Sequence, residues 1–199
     1  MKLCAVLLAA GEGKRFGELK QLAIYQGESF ILLALRKLLT VETEQIIIVL
    51  GFEQQKITQL LQESGLLTNK VKIVVNEHYQ QGMGTSIATA MNNIIEDIEA
   101  VMFLLVDLPL MQVETISLIL KEFRQIEQKI LVPTYQGKRG HPTVWGKDYF
   151  SVLSKCKGDT GARELLQTYA KDVWFFSCDD QGIILDIDTL EQLKRLRAE

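Results

Sequence analysis

Short apolar runs alternate with amphipathic stretches along most of this chain. Residues 3–8 have the length and bounds of a buried strand. Ser29 opens a helical pattern that runs to Leu39, with Ile31, Leu32, Leu35, Leu38 and Leu39 on one face. Gln45–Leu50 follows, and its Ile46-Ile47-Ile48-Val49 core is too continuously apolar for a half-exposed strand. Such runs suit a parallel sheet covered on both faces. Residues 53–64 read as an amphipathic helix ended by Gly65, and Val71–Val75 as the third strand. The order strand, helix, strand, helix, strand is one half of a doubly wound sheet. The second half repeats the alternation with a helix over 85–95, a buried strand over 100–106, a long helix over 113–128 and a strand over 130–133. Turn residues between β-prone runs at 135–145 predict a hairpin or an excursion from the sheet. A helix ending near Tyr169, strands over 173–176 and 183–187 and a closing helix over 190–197 complete the pattern. The expectation is one α/β domain over residues 1–199, in three α/β/α layers around a mostly parallel, Rossmann-like sheet.

Composition narrows the function classes. A net charge of −3 with 47% hydrophobic residues describes a folded chain without the basic surface that nucleic acid calls for. Cys4, Cys156 and Cys178 are far apart and form no C-x-x-C pair, which leaves no disulfide framework or metal cluster to read. The first apolar run stops at a glycine loop, far short of a membrane span, with no cleavage-site pattern. The cytoplasm is the expected location, with neither membrane nor nucleic acid as partner.

The chemistry concentrates in loops at predicted strand ends, where open α/β sheets bind ligands. The first reads Leu7-Leu8-Ala9-Ala10-Gly11-Glu12-Gly13-Lys14-Arg15-Phe16-Gly17, followed by Lys20-Gln21-Leu22. Its glycines free the backbone to turn N–H groups toward an anion, and Arg15 and Lys20 supply charge for phosphate oxygens. Phe16 replaces the third glycine of a dinucleotide fingerprint, and the Gly-Lys-Ser/Thr ending of a P-loop is absent. The same spacing also fits an ordinary strand-to-helix turn with solvated basic residues. The loop over 76–86 carries Asn76, Gly82, Gly84 and Ser86 into a helix, and fits either close approach by a ligand or a simple glycine turn; His78 reads as solvated. Asp107 closes a central strand in Asp107-Leu108-Pro109, placed to hold a divalent ion or to start a turn. Asp186 and Asp188 share a face if the segment is extended, so either could add a second carboxylate, while Asp188 or Thr189 could instead cap the last helix. Asp159 or Thr160 could likewise cap the helix after Gly158.

Taken together, these motifs resemble the MobA-like nucleotidyltransferases, and the likeness runs along almost the entire chain. Leu-Ala-Ala-Gly-x-Gly-x-Arg-Phe-Gly-x-x-Lys-Gln-Leu is similar to that family's signature loop. The resemblance implies a sheet of the nucleotide-diphospho-sugar transferase type and a triphosphate wrapped by Leu8, Ala9, Ala10, Gly11 and Gly13. Arg15 and Lys20 would contact phosphates, while Asn76, Gly82 and Ser86 would lie against base and ribose. Asp-x-Pro implies that Asp107 binds Mg²⁺, and Asp-Ile-Asp-Thr makes Asp188 the second ligand with Asp186 in reserve. Arg15, Lys20 and Asp107 are thus the implied catalytic set. Arg-Gly-His-Pro places Gly140, His141 and Pro142 beside the acceptor, and Gly-Asp-x-Gly-Ala-Arg places Arg163 there. Ala-Ala-Gly in place of Ala-Gly-Gly leaves less room for a purine and points to the molybdenum cofactor cytidylyltransferase branch, which joins CMP from CTP to molybdopterin. The product of that branch serves molybdenum hydroxylases, so such a hydroxylase or its chaperone is the implied protein partner. Glu12 departs from the small Ser or Gln frequent there, and a carboxylate at this place suits phosphate only when turned away. A guanylyltransferase, a sugar-phosphate nucleotidyltransferase and a non-catalytic molybdenum cofactor chaperone are the other readings.

Overall fold

The computed structural model describes residues 1–127, 129–159 and 162–198. Its strands are β1 (Leu3–Ala9), β2 (Ile24–Tyr25), β3 (Glu28–Ser29), β4 (Gln45–Leu50), β5 (Val71–Val75), β6 (Ala100–Leu105), β7 (Ile130–Tyr135), β8 (Lys138–Arg139), β9 (Thr143–Gly146) and β10 (Val173–Ser177). Its helices are α1 (Phe30–Leu39), α2 (Gln54–Glu63), α3 (Met83–Met91), α4 (Val113–Phe123), α5 (Phe150–Leu153), α6 (Arg163–Thr168) and α7 (Leu190–Ala198). The main sheet runs β10-β7-β9-β6-β1-β4-β5, with β8 on the end of β7. All pairings along it are parallel except those of β9, which lies antiparallel between β6 and β7.

Alternation along β1 builds both outer layers. Leu3, Ala5, Leu7 and Ala9 face one core with residues of α1, α2, α4 and α7, while Cys4, Val6, Leu8 and Ala10 face a second core with α3 and α5. Three layers with a mostly parallel sheet are therefore present, as the apolar pattern predicts. From β1 the chain winds outward through β4 and β5, then crosses to β6 on the other side of β1. The carboxyl ends of β1 and β6 thus flank the crevice where strand order reverses.

Several boundaries differ from the sequence pattern. The helix expected over 113–128 ends at Phe123, and the expected final residue, Gln128, lies outside the described residues, as do Thr160 and Gly161. The helix expected from Thr85 begins at Met83. The excursion at 135–145 is a hairpin, with Gln136 (φ 47) and Gly137 (φ 76) both left-handed at its turn. The strand expected over 183–187 does not form. Ile183 and Ile187 are buried as apolar residues should be, but Gln181–Ile183 is a 3₁₀ turn. The backbone here pairs with loops: Ile183 accepts from His141 N–H, and Ile187 N–H donates to the carbonyl of Asp107. Burial alone made this run look like a strand.

Candidate active site

The glycine loop is shaped from beneath. Phe16 is almost fully buried and meets Phe30 edge-on, and its N–H closes a turn onto the carbonyl of Gly13, where φ is +61°. Gln21 sits buried in the 3₁₀ turn that follows the loop, and its Nε2 donates to the carbonyls of both Ala9 and Gly11 at 2.8 Å. A trans peptide points its N–H opposite to its carbonyl. Holding those two carbonyls therefore turns the N–H groups of Ala10 and Glu12 away from Gln21. A Cβ built on Gly11 meets open space, so the loop offers a cradle that a larger residue would begin to fill.

Glu12 does not obstruct this cradle. Its carboxylate accepts from Gln80 at 3.0 Å and pairs with Lys14 at 3.2 Å, outside the lining of the central cleft. Those two partners, Gln80 first, hold the carboxyl below its ordinary range.

Two carboxylates face the loop. Asp107 follows β6, and Asp188 lies on the segment that Ile187 docks against the Asp107 carbonyl at 3.0 Å. Lys20 Nζ stands between them, 2.7 Å from Asp107 Oδ2 and 2.7 Å from Asp188 Oδ1, and Arg15 pairs with Asp188 from the solvent side. Burial pulls the Lys20 pKa down, yet the two aspartates outweigh it and raise the ammonium above its usual value. Burial likewise opposes ionisation of Asp188, but the Lys20 hydrogen bond and the Lys20 and Arg15 charges keep its carboxyl low. Asp186, which makes no such ion pair, is pushed up by burial and then by the neighbouring Asp188.

The helix-capping alternative is realised by Thr189. Its hydroxyl accepts from Gln192 N–H at 3.2 Å, while Gln192 Oε1 accepts from the N–H groups of Thr189 and Asp188. This capping box leaves the Asp188 carboxylate free for Lys20 and Arg15.

The residues fit a divalent cation. Asp107 Oδ1 is buried without a hydrogen-bond partner, and an ammonium already occupies the space between the two carboxylates. Among the described residues no three His, Cys, Asp or Glu side chains gather into a metal-binding group. An ion held here would take its remaining ligands from substrate and water, the habit of Mg²⁺.

Around these groups lies a cleft of about 350 Å³, lined in part by Leu8, Ala9, Ala10, Gly11, Gly13, Lys20, Gly82, Ser86 and Asp107. Gln21, Tyr79, Met83 and Asp159 also line it. Sequence reasoning gave none of these four a ligand-facing role, although Gln21 stands in the first loop it singled out, Tyr79 and Met83 in the second, and Asp159 in the Gly-Asp-x-Gly-Ala-Arg motif. Asn76 is placed differently. It is buried behind the cleft, where its amide donates to Thr85 and Ser86 and its carbonyl accepts from His78 N–H, so it braces the loop. Gly82 lines the cleft, but the room left by its missing side chain, and by that of Gly84, is taken by backbone. A Cβ on Gly82 would lie 2.3 Å from the Gly158 carbonyl carbon, and one on Gly84 would lie 2.6 Å from Lys157 backbone. They admit the 157–159 segment, which accepts from Gly84 N–H at 2.9 Å and carries Asp159 to the cleft. Asp159 does not cap α6, whose first turn is preceded by Ala162.

A second cavity of about 320 Å³ adjoins the first through shared walls at Leu8, Met83 and Asp159. Apolar Phe103, Val132 and Trp145 line it, with Arg139, Gly140, His141 and Arg163. Pro142 is buried behind that lining and joined to His141 by a cis peptide. Burial lowers the His141 pKa against the opposing pull of the Phe103 carbonyl and Asp107. With Nδ1 donating to that carbonyl at 3.4 Å, Nε2 of the neutral ring is left as an acceptor. No described helix is long and apolar enough to cross a membrane.

Comparison with known proteins places this geometry. Nicotine blue oxidoreductase of Paenarthrobacter nicotinovorans is 32% identical over 200 residues, covering 96% of this chain and 94% of that protein. The purine catabolism protein PucB of Bacillus subtilis is 23% identical over 98% of this chain and 96% of its own length. Rv0371c from Mycobacterium tuberculosis, whose structure has also been solved with manganese, superposes with a TM-score of 0.84 at 23% identity over 100% of this chain and 99% of that one. The fold is shared with solved nucleotidyltransferases. Residues 5–173 match the family model of the MobA-like NTP transferase domain, and the chain belongs to that family.

Proposed function

We propose that this nucleotidyltransferase moves CMP from CTP to molybdopterin with Mg²⁺ and releases pyrophosphate. The observation that carries the reading is the pair of adjoining cavities at one sheet edge. The first combines a glycine cradle with Asp107 and Lys20, and Asp188 adjoins it through its pair with Lys20, the equipment for a metal-bound triphosphate. The second sets Arg139 and Arg163 among apolar and aromatic walls, which suits a flat heteroaromatic acceptor bearing a phosphate. PucB's name assigns it to purine catabolism, in keeping with a cofactor made for hydroxylases of the xanthine dehydrogenase type. Such a hydroxylase, or the chaperone that loads it, is the protein partner this reading implies.

Asp107 and Asp188 would hold the ion, which supplies Lewis-acid polarisation of the phosphate oxygens. The loop N–H groups orient the triphosphate, and Arg15 and Lys20 offset its charge. An oxygen of the acceptor phosphate forms the new bond to the α-phosphorus of CTP. The bond from that phosphorus to the α–β bridging oxygen breaks, and the electron pair leaves with pyrophosphate. Lys20 stabilises the charge growing on that leaving group. A phosphate monoester, with a second pKa of about 6, is largely ionised near neutrality and needs no general base.

A second reading comes from the 32% identity to an enzyme named as an oxidoreductase. In that case the first cavity takes a nicotinamide dinucleotide and the second a flat dye. Phe16, in place of the third fingerprint glycine, speaks against it. One experiment separates the two: pyrophosphate release with each NTP, with and without molybdopterin, beside NADH and NADPH oxidation with an aromatic dye. Release that needs both CTP and molybdopterin supports the proposal. Dye-dependent NAD(P)H oxidation without pyrophosphate release overturns it.

A further inference from the structure

The two edges of the main sheet are unlike. At one end β5 reads Val-Lys-Ile-Val-Val, with Lys72 as the charge that commonly protects an open edge. At the other end β10 reads Val-Trp-Phe-Phe-Ser, with no charge and no proline. Trp174 and Phe175 are 40% and 45% exposed and are the only aromatic residues among the large, exposed hydrophobic residues described.

The hydrogen-bond phase of this edge is readable. Cys178 N–H donates to the Thr134 carbonyl, and the Phe176 carbonyl accepts from the Thr134 hydroxyl, so even-numbered residues address β7. The odd residues Phe175 and Ser177 therefore turn their N–H and C=O groups outward, as Val173 does its C=O, while the Val173 N–H is held by the Ala170 carbonyl. We propose that β10 pairs antiparallel with β10 of a second copy of this chain, about a two-fold axis at Phe175, joining two sheets into one.

The pairing is self-complementary in three respects. Phe175 opposes Phe175 of the second copy as a hydrogen-bonded pair, and Val173 opposes Ser177 twice, each time with the Ser177 N–H donating to the Val173 carbonyl. On one face Trp174 meets Phe176 of the second copy across a close, non-hydrogen-bonded pair, the spacing in which aromatic side chains gain most. Exposed Lys171, in the 3₁₀ turn before β10, and exposed Asp179, just after it, stand at opposite ends of the strand, so the antiparallel two-fold brings opposite charges together at each end of the ladder. The inference does not depend on which nucleotide or acceptor the enzyme uses.

The test measures the mass of the full-length protein in solution by light scattering across a dilution series. The parent should be a dimer. F175K, which brings two ammonium groups together at the axis on an already exposed position, should be a monomer with an unchanged circular dichroism spectrum. K171D and D179K should each weaken the dimer, and the double variant K171D/D179K should restore it. In mild oxidant F175C should form an intermolecular disulfide, because hydrogen-bonded antiparallel partners stand about 5.5 Å apart at Cα. S177C should not, since its two copies lie at opposite ends of the ladder. A monomeric parent, a folded F175K that stays dimeric, or a double variant no better than its singles would each overturn the proposal. So would cross-linking of S177C in preference to F175C.

Discussion

Lys20 Nζ and Asp107 Oδ2 stand 2.7 Å apart although 87 positions separate them in the chain. The contact joins the glycine loop after β1 to the end of β6, across the crevice where strand order reverses. Lys20 and Arg15 together balance the two aspartates in the absence of substrate, and the three donors of Lys20 can turn to phosphate when substrate enters.

Asp107→Asn should test the cation site directly. The amide keeps the size but removes the charge that faces Lys20 and would anchor Mg²⁺. Turnover with Mg²⁺ should fall by about 100-fold or more, while nucleotide affinity measured without metal should change little. Near-normal turnover would exclude Asp107 from the metal site.

Gln21→Leu should loosen the loop without touching any charge. It leaves the carbonyls of Ala9 and Gly11 without their shared donor, at a cost of about 1–3 kcal/mol if they stay buried. The expected readouts are a lower melting temperature and a raised KM for the nucleotide. An unchanged KM would show that the loop holds its shape without the amide.

Ala10 is the residue proposed to select the base. Ala10 lines the cleft at its junction with the core, and one methyl discriminates by about 1–3 kcal/mol, roughly 10- to 200-fold. Ala10→Gly should raise kcat/KM for GTP relative to CTP with molybdopterin as acceptor. Equal use of both nucleotides by the parent would return the guanylyltransferase reading to the front.

Lys37 gives a pH signature outside the site. It reaches from α1 to the Pro109 carbonyl, and burial, only partly offset by Asp180, brings its pKa down from 10.5 to about 8. Between these values the unfolded chain holds the extra proton, so this group's contribution to stability rises as pH increases from 8 to 10.5. The melting temperature of Lys37→Met relative to the parent should therefore fall between pH 7 and pH 10, on the order of 2–4 °C for each kcal/mol. A pH-independent difference would show that Lys37 stays charged in the fold.

The legible parts of this protein were those whose physics is local. The all-apolar Ile46-Ile47-Ile48-Val49 run could only be a strand buried on both faces, and the glycine loop after β1 carried its own signal. Asp107 could be singled out at a strand end, and its company with Lys20 and Asp188 was implied by the resemblance. What stayed hidden depended on distant neighbours. That Gly82 and Gly84 also make room for backbone stayed hidden, because nothing nearby in sequence announces the 157–159 segment that passes against them. Asn76 looked like a contact for the nucleotide until the buried Thr85 and Ser86 hydroxyls gave its amide another use. Ile183 and Ile187 were rightly read as buried and wrongly as a strand, since side-chain burial says nothing about which backbone partners are still free.

The capping box at Thr189 and Gln192 makes α7 part of the support of the cleft. Gln192 Oε1 accepts from the N–H groups of Asp188 and Thr189, so the backbone that carries this carboxylate is held by a side chain within the first turn of the helix. Fraying of that turn would loosen Asp188 against Lys20 and Arg15 while leaving every pairing of the main sheet intact. The hold on Lys20 is thus set by a surface helix that contributes no strand to the sheet.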